Sequence, residues 1–170
     1  MTDRVAGGTA PDEVDRIVAA WRRERPDLDV APLEVLSRVS RLARHLDLMR
    51  RSAFARAQLN PWEFDVLSAL RRAGEPYQLS PGTLVAQTLV TSGTMTNRID
   101  RLEERHLVER LPAPGDRRGV LVRLTDAGAR RVDAAMGDLL DLERALLTDL
   151  PVSDREELAG LLRVLVRHFD

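Results

Sequence analysis

Between Val108 and Leu124 the apolar period of this chain shortens from that of a helix to that of a strand. Val108 to Leu111 and Val120 to Leu124 read as two short strands. The stretch between them, Pro112-Ala-Pro-Gly-Asp-Arg-Arg-Gly119, is rich in turn formers. Everything of length on either side carries a helical period. With aromatic residues at only 4%, the core must come from Leu, Val and Ala, which favours packed helices over a sandwich or barrel. The expected fold is mainly α with one small β-hairpin.

The helices announce their ends. Residues 1–10 read as a disordered lead, and a first helix spans about Pro11 to Arg25, with Val14, Ile17, Val18 and Trp21 on one stripe. Pro26 ends it, and Pro32 opens a longer helix to about Ala57. The apolar positions Val35, Val39, Leu42, Leu46 and Met49 give that helix a face that needs a partner. Asn60-Pro61-Trp62-Glu63 supplies a cap, a proline at the first helical position and a glutamate at the third, for a helix stopping at Gly74. Ser80-Pro81 starts a short helix broken near Val90, and Thr91 caps the next, which runs to about His106. After Thr125 a long amphipathic helix reaches about Leu150. Ser153-Asp-Arg-Glu156 reads as a capping box for a last helix ending near Phe169.

Charge is distributed unevenly over a chain of 170 residues whose formal net charge is −1. From Arg98 to Arg131 there are nine Arg against six acids, a local +3. From Val132 to Asp170 there are four Arg against nine acids, a local −5. Basic charge therefore gathers around the hairpin, and a patch, not the total, is the footprint of a nucleic-acid binder. There is no Cys, which excludes disulfides, thiolate metal sites and cysteine redox switches. All 26 basic residues are Arg, a codon signature of a GC-rich bacterial genome. No secretory segment follows Met1 and no apolar run approaches the ~20 residues of a membrane span, so a cytoplasmic protein is expected.

Two short helices joined tightly and followed by a β-hairpin make the winged variant of the helix-turn-helix. At about 100° per residue, Met95, Ile99 and Leu102 share one side of the second helix, the core side. Gly93, Asn97, Asp100 and Glu104 point away, with Thr96 and Arg101 on the flanks. Small, hydroxyl and amide residues suit groove reading, because the backbone can approach, N–H groups can meet a phosphate, and Asn or Thr can reach base edges. The candidate DNA contacts are thus Ser92, Gly93, Thr94, Thr96, Asn97 and Arg101, with Arg117 and Arg118 at the hairpin tip, where a guanidinium can enter a narrow minor groove. On its own, Ser92 to Asn97 is equally readable as the capped start of an ordinary surface helix.

Ser92-Gly-Thr-Met-Thr-Asn-Arg-Ile-Asp-Arg-Leu-Glu103, followed by Gly115-Asp-Arg-Arg-Gly-Val-Leu-Val-Arg-Leu-Thr-Asp-Ala-Gly128, closely resembles the MarR family of bacterial regulators. The resemblance covers the chain from Leu33 onward. It implies a homodimeric winged-helix repressor or activator of double-stranded operator DNA, with small ligands tuning affinity. It also implies that Asp116 orients the wing Arg118, and that one intertwined domain is built from an extra N-terminal helix and first dimerisation helix in 1–57, a winged helix-turn-helix DNA-binding region in 58–125 and C-terminal dimerisation helices in 126–170. The flanking amphipathic helices carry more apolar surface than one small core needs, which points to a dimer independently. Two-fold symmetry would set two recognition helices about one DNA turn, ~34 Å, apart over a pseudo-palindrome.

The extra N-terminal helix with Trp21 resembles the urate-responsive branch of that family. By that resemblance the ligand-binding residues are Trp21, Asp65, Arg98 and Arg110. Two Arg, one Asp and an aromatic plate suit a flat anionic heterocycle such as urate or a related purine. Arg98 falls on the flank of the core side, beside Met95 and Leu102, and so is expected to sense more than to read. The structural alternative makes Trp21 a core anchor and Asp65–Arg98 a buried ion pair.

No enzyme constellation is found, and neither a cofactor nor a metal site is expected. His45, His106 and His168 lie on separate helical segments without ligand spacing, and Glu103-Glu104 and Glu156-Glu157 read as solvated faces or caps. No Gly-rich phosphate loop or nucleophile elbow occurs. The rival function is a helical protein–protein module on a winged scaffold that binds no DNA.

Overall fold

The computed structural model describes residues 10–115 and 119–169. Residues 1–9 of the expected lead and the wing-tip residues Asp116, Arg117 and Arg118 lie outside the described residues. The element order is α1 (Glu13–Glu24), α2 (Ala31–Arg56), α3 (Pro61–Arg72), β1 (Gln78–Leu79), α4 (Pro81–Thr88), α5 (Ser92–Glu104), β2 (Val108–Pro112), β3 (Val120–Leu124), α6 (Asp126–Leu146) and α7 (Val152–Val166). This is the mainly helical winged architecture expected. The chain divides into two compact units between Leu48 and Met49.

In the N-terminal unit α1 starts on a reciprocal cap. The Asp15 N–H donates to the Asp12 side chain at 2.9 Å and the Asp12 N–H to the Asp15 side chain at 2.8 Å. Arg38 on α2 donates to both carboxylates, tying the two helices together. The small core of this unit is Val14, Val18 and Val30, with Leu33 packed against it. Trp21 is 46% exposed, so the reading of Trp21 as a core anchor is corrected. It lies on the rim of that core, one turn beyond Val18. Val35, Val39 and Leu42, whose stripe called for a partner, stay exposed.

The larger unit is built on α3, whose residues Phe64, Val66, Leu67, Ala69 and Leu70 are buried. Phe54 at the end of α2 stacks on Phe64 with ring centres 4.0 Å apart. Leu84 of α4, Met95, Ile99 and Leu102 of α5, Val122 and Leu124 of β3, and Val132, Ala135 and Leu139 of α6 complete one core. The hairpin gains a third strand that its sequence does not announce. β1 pairs antiparallel to β3 through Gln78–Arg123 and Leu79–Val122, giving the strand order β1-β3-β2. β2 and β3 pair from Val108–Leu124, both buried, to Pro112–Val120, both exposed, so the strands run outward from the core.

Two helix ends differ from expectation. α6 stops at Leu146, not Leu150, with the Leu147 N–H turning back to the Glu143 and Arg144 carbonyls. The capping box at Ser153 to Glu156 does not form. Pro151 occupies the cap, since its fixed φ suits the start of a helix, and Ser153 falls inside the first turn with its hydroxyl on Asp154. α7 buries no residue, and Val152, Leu161, Val164, Val166 and Phe169 are exposed along it and just beyond. None of the helices among the described residues is long and apolar enough to cross a membrane.

Candidate nucleic-acid interface

α5 begins on Thr91, whose hydroxyl accepts the Thr94 N–H at 3.3 Å and bonds the Thr94 hydroxyl at 2.9 Å. Met95, Ile99 and Leu102 are buried, as their angular positions require. Ser92, Gly93, Thr94, Thr96, Asn97 and Arg101 are all exposed. Their hydrogen-bonding capacity is unequal, because the Thr96 hydroxyl donates back to the Ser92 carbonyl at 3.1 Å. Thr94 and Thr96 therefore present hydroxyl oxygens already engaged by the helix. A β-carbon added at Gly93 would meet nothing within 4 Å, so no contact inside the chain calls for glycine there.

The Arg98 guanidinium carbon lies 5.5 Å from the centre of the Trp62 ring. Trp62 is the second residue of α3, and the two side chains share a cleft of about 430 Å³ with Gly93, Thr94, Asn97 and Arg101. The sensing candidate and the reading candidates thus line one cavity. The buried Asp65–Arg98 pair is not formed. Asp65 is exposed, and its carboxylate faces Arg50 at 4.0 Å. The reason is angular: Phe64 and Val66 turn inward, which sends the intervening Asp65 outward, and Arg50 is the cation that meets it.

Arg110 projects from β2 onto α5. Its guanidinium donates to Asp100 and Glu103, and its backbone N–H reaches Glu103 at 3.2 Å. Burial works to lower its pKa, but the hydrogen bonds it donates to Asp100 and Glu103, with their charges, outweigh that and raise it. Glu103 is therefore not a merely solvated side chain. Asp100 and Glu103 lie one turn apart on one face of α5, and that spacing was the signal available in the sequence. Trp62, by contrast, was legible only as part of a helix start.

Just past the C-terminal end of α5, Arg105 donates to the Glu63 carboxylate and, at 2.8 Å, to the Gln58 carbonyl. Glu63 is 2% exposed, and its second oxygen accepts the Asn60 N–H at 2.7 Å. The C-terminal half of the recognition helix is thus fixed by charge on two sides, by Asp100 and Glu103 to the hairpin and by Arg105 to α3. Trp21, in the other unit, borders an apolar groove with Ile17 and Ala20. Among the described residues no three His, Asp or Glu side chains gather in a metal-binding group.

Residues 57–119 match the model of the MarR family. The regulator PecS of Dickeya dadantii is 37% identical over 156 residues, covering 92% of this chain and 94% of that protein. The chain belongs to the MarR family. The repressor NicR of Pseudomonas putida is 32% identical over 144 residues, covering 82% of this chain and 89% of that one. A mutant MarR of Escherichia coli crystallised with operator DNA superposes with a TM-score of 0.66 at 27% identity, over 86% of this chain and 97% of its own. This MarR-family chain is a DNA-binding transcriptional regulator, and its α4–turn–α5 with the β2–β3 hairpin is the winged helix-turn-helix.

Proposed function

We propose that this protein is a homodimeric repressor that binds a pseudo-palindromic operator and releases it on binding a small anionic aromatic ligand such as urate or a related purine. The observation that carries the reading is the cleft beside α5, which Arg98 and Trp62 share with Gly93, Thr94, Asn97 and Arg101. A flat anion seated there would engage the Arg98 guanidinium and lie along Trp62, while occupying the space in front of the groove-facing residues. Ligand and DNA would then compete for one surface.

DNA contact falls to Ser92, Gly93, Thr94, Thr96, Asn97 and Arg101, with Arg117 and Arg118 at the wing, oriented by Asp116. Gly93 supports this assignment, because an exposed glycine with free space around it leaves room for close backbone approach. The exposed apolar face of α7 supports a second copy as partner, since an uncovered face of this kind marks an interaction site. Arg110 contributes to ligand response through its hold on Asp100 and Glu103, which an anion could displace. Asp65, facing Arg50, enters as the acceptor for ring N–H groups in the urate-responsive pattern, and Trp21 enters by the same resemblance.

The test is a mobility-shift assay on DNA from the gene's own promoter, with a urate titration and with Arg118→Ala. Operator affinity should fall as urate rises, and the variant should bind less tightly with a flatter salt dependence. Unchanged operator affinity at millimolar urate removes the ligand assignment. Indifference to Arg118→Ala, with no salt-dependent duplex binding, favours the protein–protein module instead.

A further inference from the structure

The turn between α4 and α5 carries an apolar side chain that the fold does not use. Leu89 ends α4 with φ +53°, in the left-handed region, and it is 92% exposed. Both properties run against the residue type. The left-handed region crowds a β-carbon against the following carbonyl, and at helix ends it is usually filled by Gly or Asn.

Its neighbours are committed to the fold. Leu84 is buried and accepts the Thr88 hydroxyl at 2.7 Å. Val90 packs against the main core, and Thr91 caps α5. Leu89 is exposed between them, two residues before that cap, and Ser92, Gly93 and Thr94 just beyond the cap are exposed as well. A helix-turn-helix lays the N-terminus of its second helix in the major groove, which brings the preceding turn to the groove's edge. There the apolar partner on offer is the thymine C5-methyl.

We propose that Leu89 is a specificity-determining residue that reads a thymine methyl at the edge of the operator site. The inference rests on the family's DNA binding and is independent of any ligand. Leu89 supplies a wholly aliphatic side chain, where Thr94 and Thr96 offer only a methyl beside a hydroxyl. Hydroxyl, amide and guanidinium groups sense donors and acceptors, whereas an aliphatic side chain senses the methyl that separates thymine from cytosine.

The experiment selects duplexes from a randomised DNA pool with wild-type protein, Leu89→Ala and Leu89→Gly, then measures affinities on the wild-type consensus. Glycine fits the observed φ, so Leu89→Gly should melt no lower than wild type, which separates lost reading from lost fold. Both variants should lose preference for thymine at one position of the site. Their salt slopes should match wild type, because no phosphate contact is removed. Replacing that thymine with deoxyuridine deletes one methyl, and should weaken wild type about fourfold, the effect of one buried methyl, while leaving Leu89→Ala unaffected. Three results overturn the proposal: a wild-type protein indifferent to deoxyuridine at every selected thymine, the same deoxyuridine penalty in Leu89→Ala, or no consensus recovered by wild type at all.

Discussion

Arg98 stands over Trp62, its guanidinium carbon 5.5 Å from the ring centre, and not against Asp65. A cation on an aromatic face keeps its N–H groups available, whereas a buried ion pair would have used them. Arg98→Met should therefore leave operator affinity within about threefold, since it keeps the aliphatic stem on Trp62 and removes no base or phosphate contact. The same variant should abolish the response to urate in the shift assay. A large loss of operator affinity without urate would make Arg98 a reader instead.

The wing should depend on Arg110 in a different way. Asp100 and Glu103 hold it against α5, but both acids are more than a third exposed, so solvent screening limits the pairing to about 1 kcal/mol of stability. The larger consequence is geometric, because β2 is fixed in angle to the recognition helix through this guanidinium. Arg110→Met should lower operator affinity several-fold with an unchanged salt slope, measured by titration at a series of ionic strengths. Arg118→Ala should instead reduce the slope by about one.

Local signals carried far in this chain, and long-range ones did not. Asn60-Pro61, Ser80-Pro81 and Thr91 start helices where their chemistry demands, and the inward set Met95, Ile99 and Leu102 follows from the helical period alone. β1 was illegible because two residues have no period, and they are a strand only because β3 has an edge to pair. Ser153-x-x-Glu156 misled because Pro151 competes for the same helix start. The angular position of Arg98 placed it beside the core, but nothing local to α5 names Trp62 on α3 as the group beneath it. In the same way, Asp65 could be paired with an arginine in principle, but which one depends on packing.

Gly128 should be intolerant of any side chain. It sits in the first turn of α6, where its N–H donates to the Thr125 hydroxyl at 3.0 Å. That hydroxyl in turn donates to the His106 carbonyl at 2.8 Å. An added β-carbon would lie 2.1 Å from the Leu107 carbonyl oxygen and 2.8 Å from a Leu124 methyl. The first of these is backbone and cannot rotate away, so α6 would have to lift from the hairpin. Gly128→Ala should cost about 3 kcal/mol, at the upper end of overpacking effects, despite alanine's higher helix propensity. Denaturant unfolding would show it. By contrast, Gly93→Ala, with open space around it, should be neutral or stabilising for the fold while weakening operator binding.

Glu63 and Arg105 make the final case, because burial is one-sided. The carboxylate is 3% exposed and the guanidinium 34%, so removing the arginine leaves a buried charge supported, among the described residues, by the Asn60 N–H. Arg105→Met should then cost about 2 kcal/mol, less than the ~3–5 kcal/mol for breaking a fully buried pair, since water can reach the vacated side. Glu63→Gln should cost less, because a neutral amide tolerates burial and still offers an oxygen to Arg105 or to Asn60. The double variant Glu63→Met with Arg105→Met should recover part of the loss, as no uncompensated charge remains. A thermal-denaturation cycle over the four proteins measures the coupling. If the arginine variant proves no worse than the glutamate one, the tie between α3 and the C-terminal end of α5 is packing and not charge.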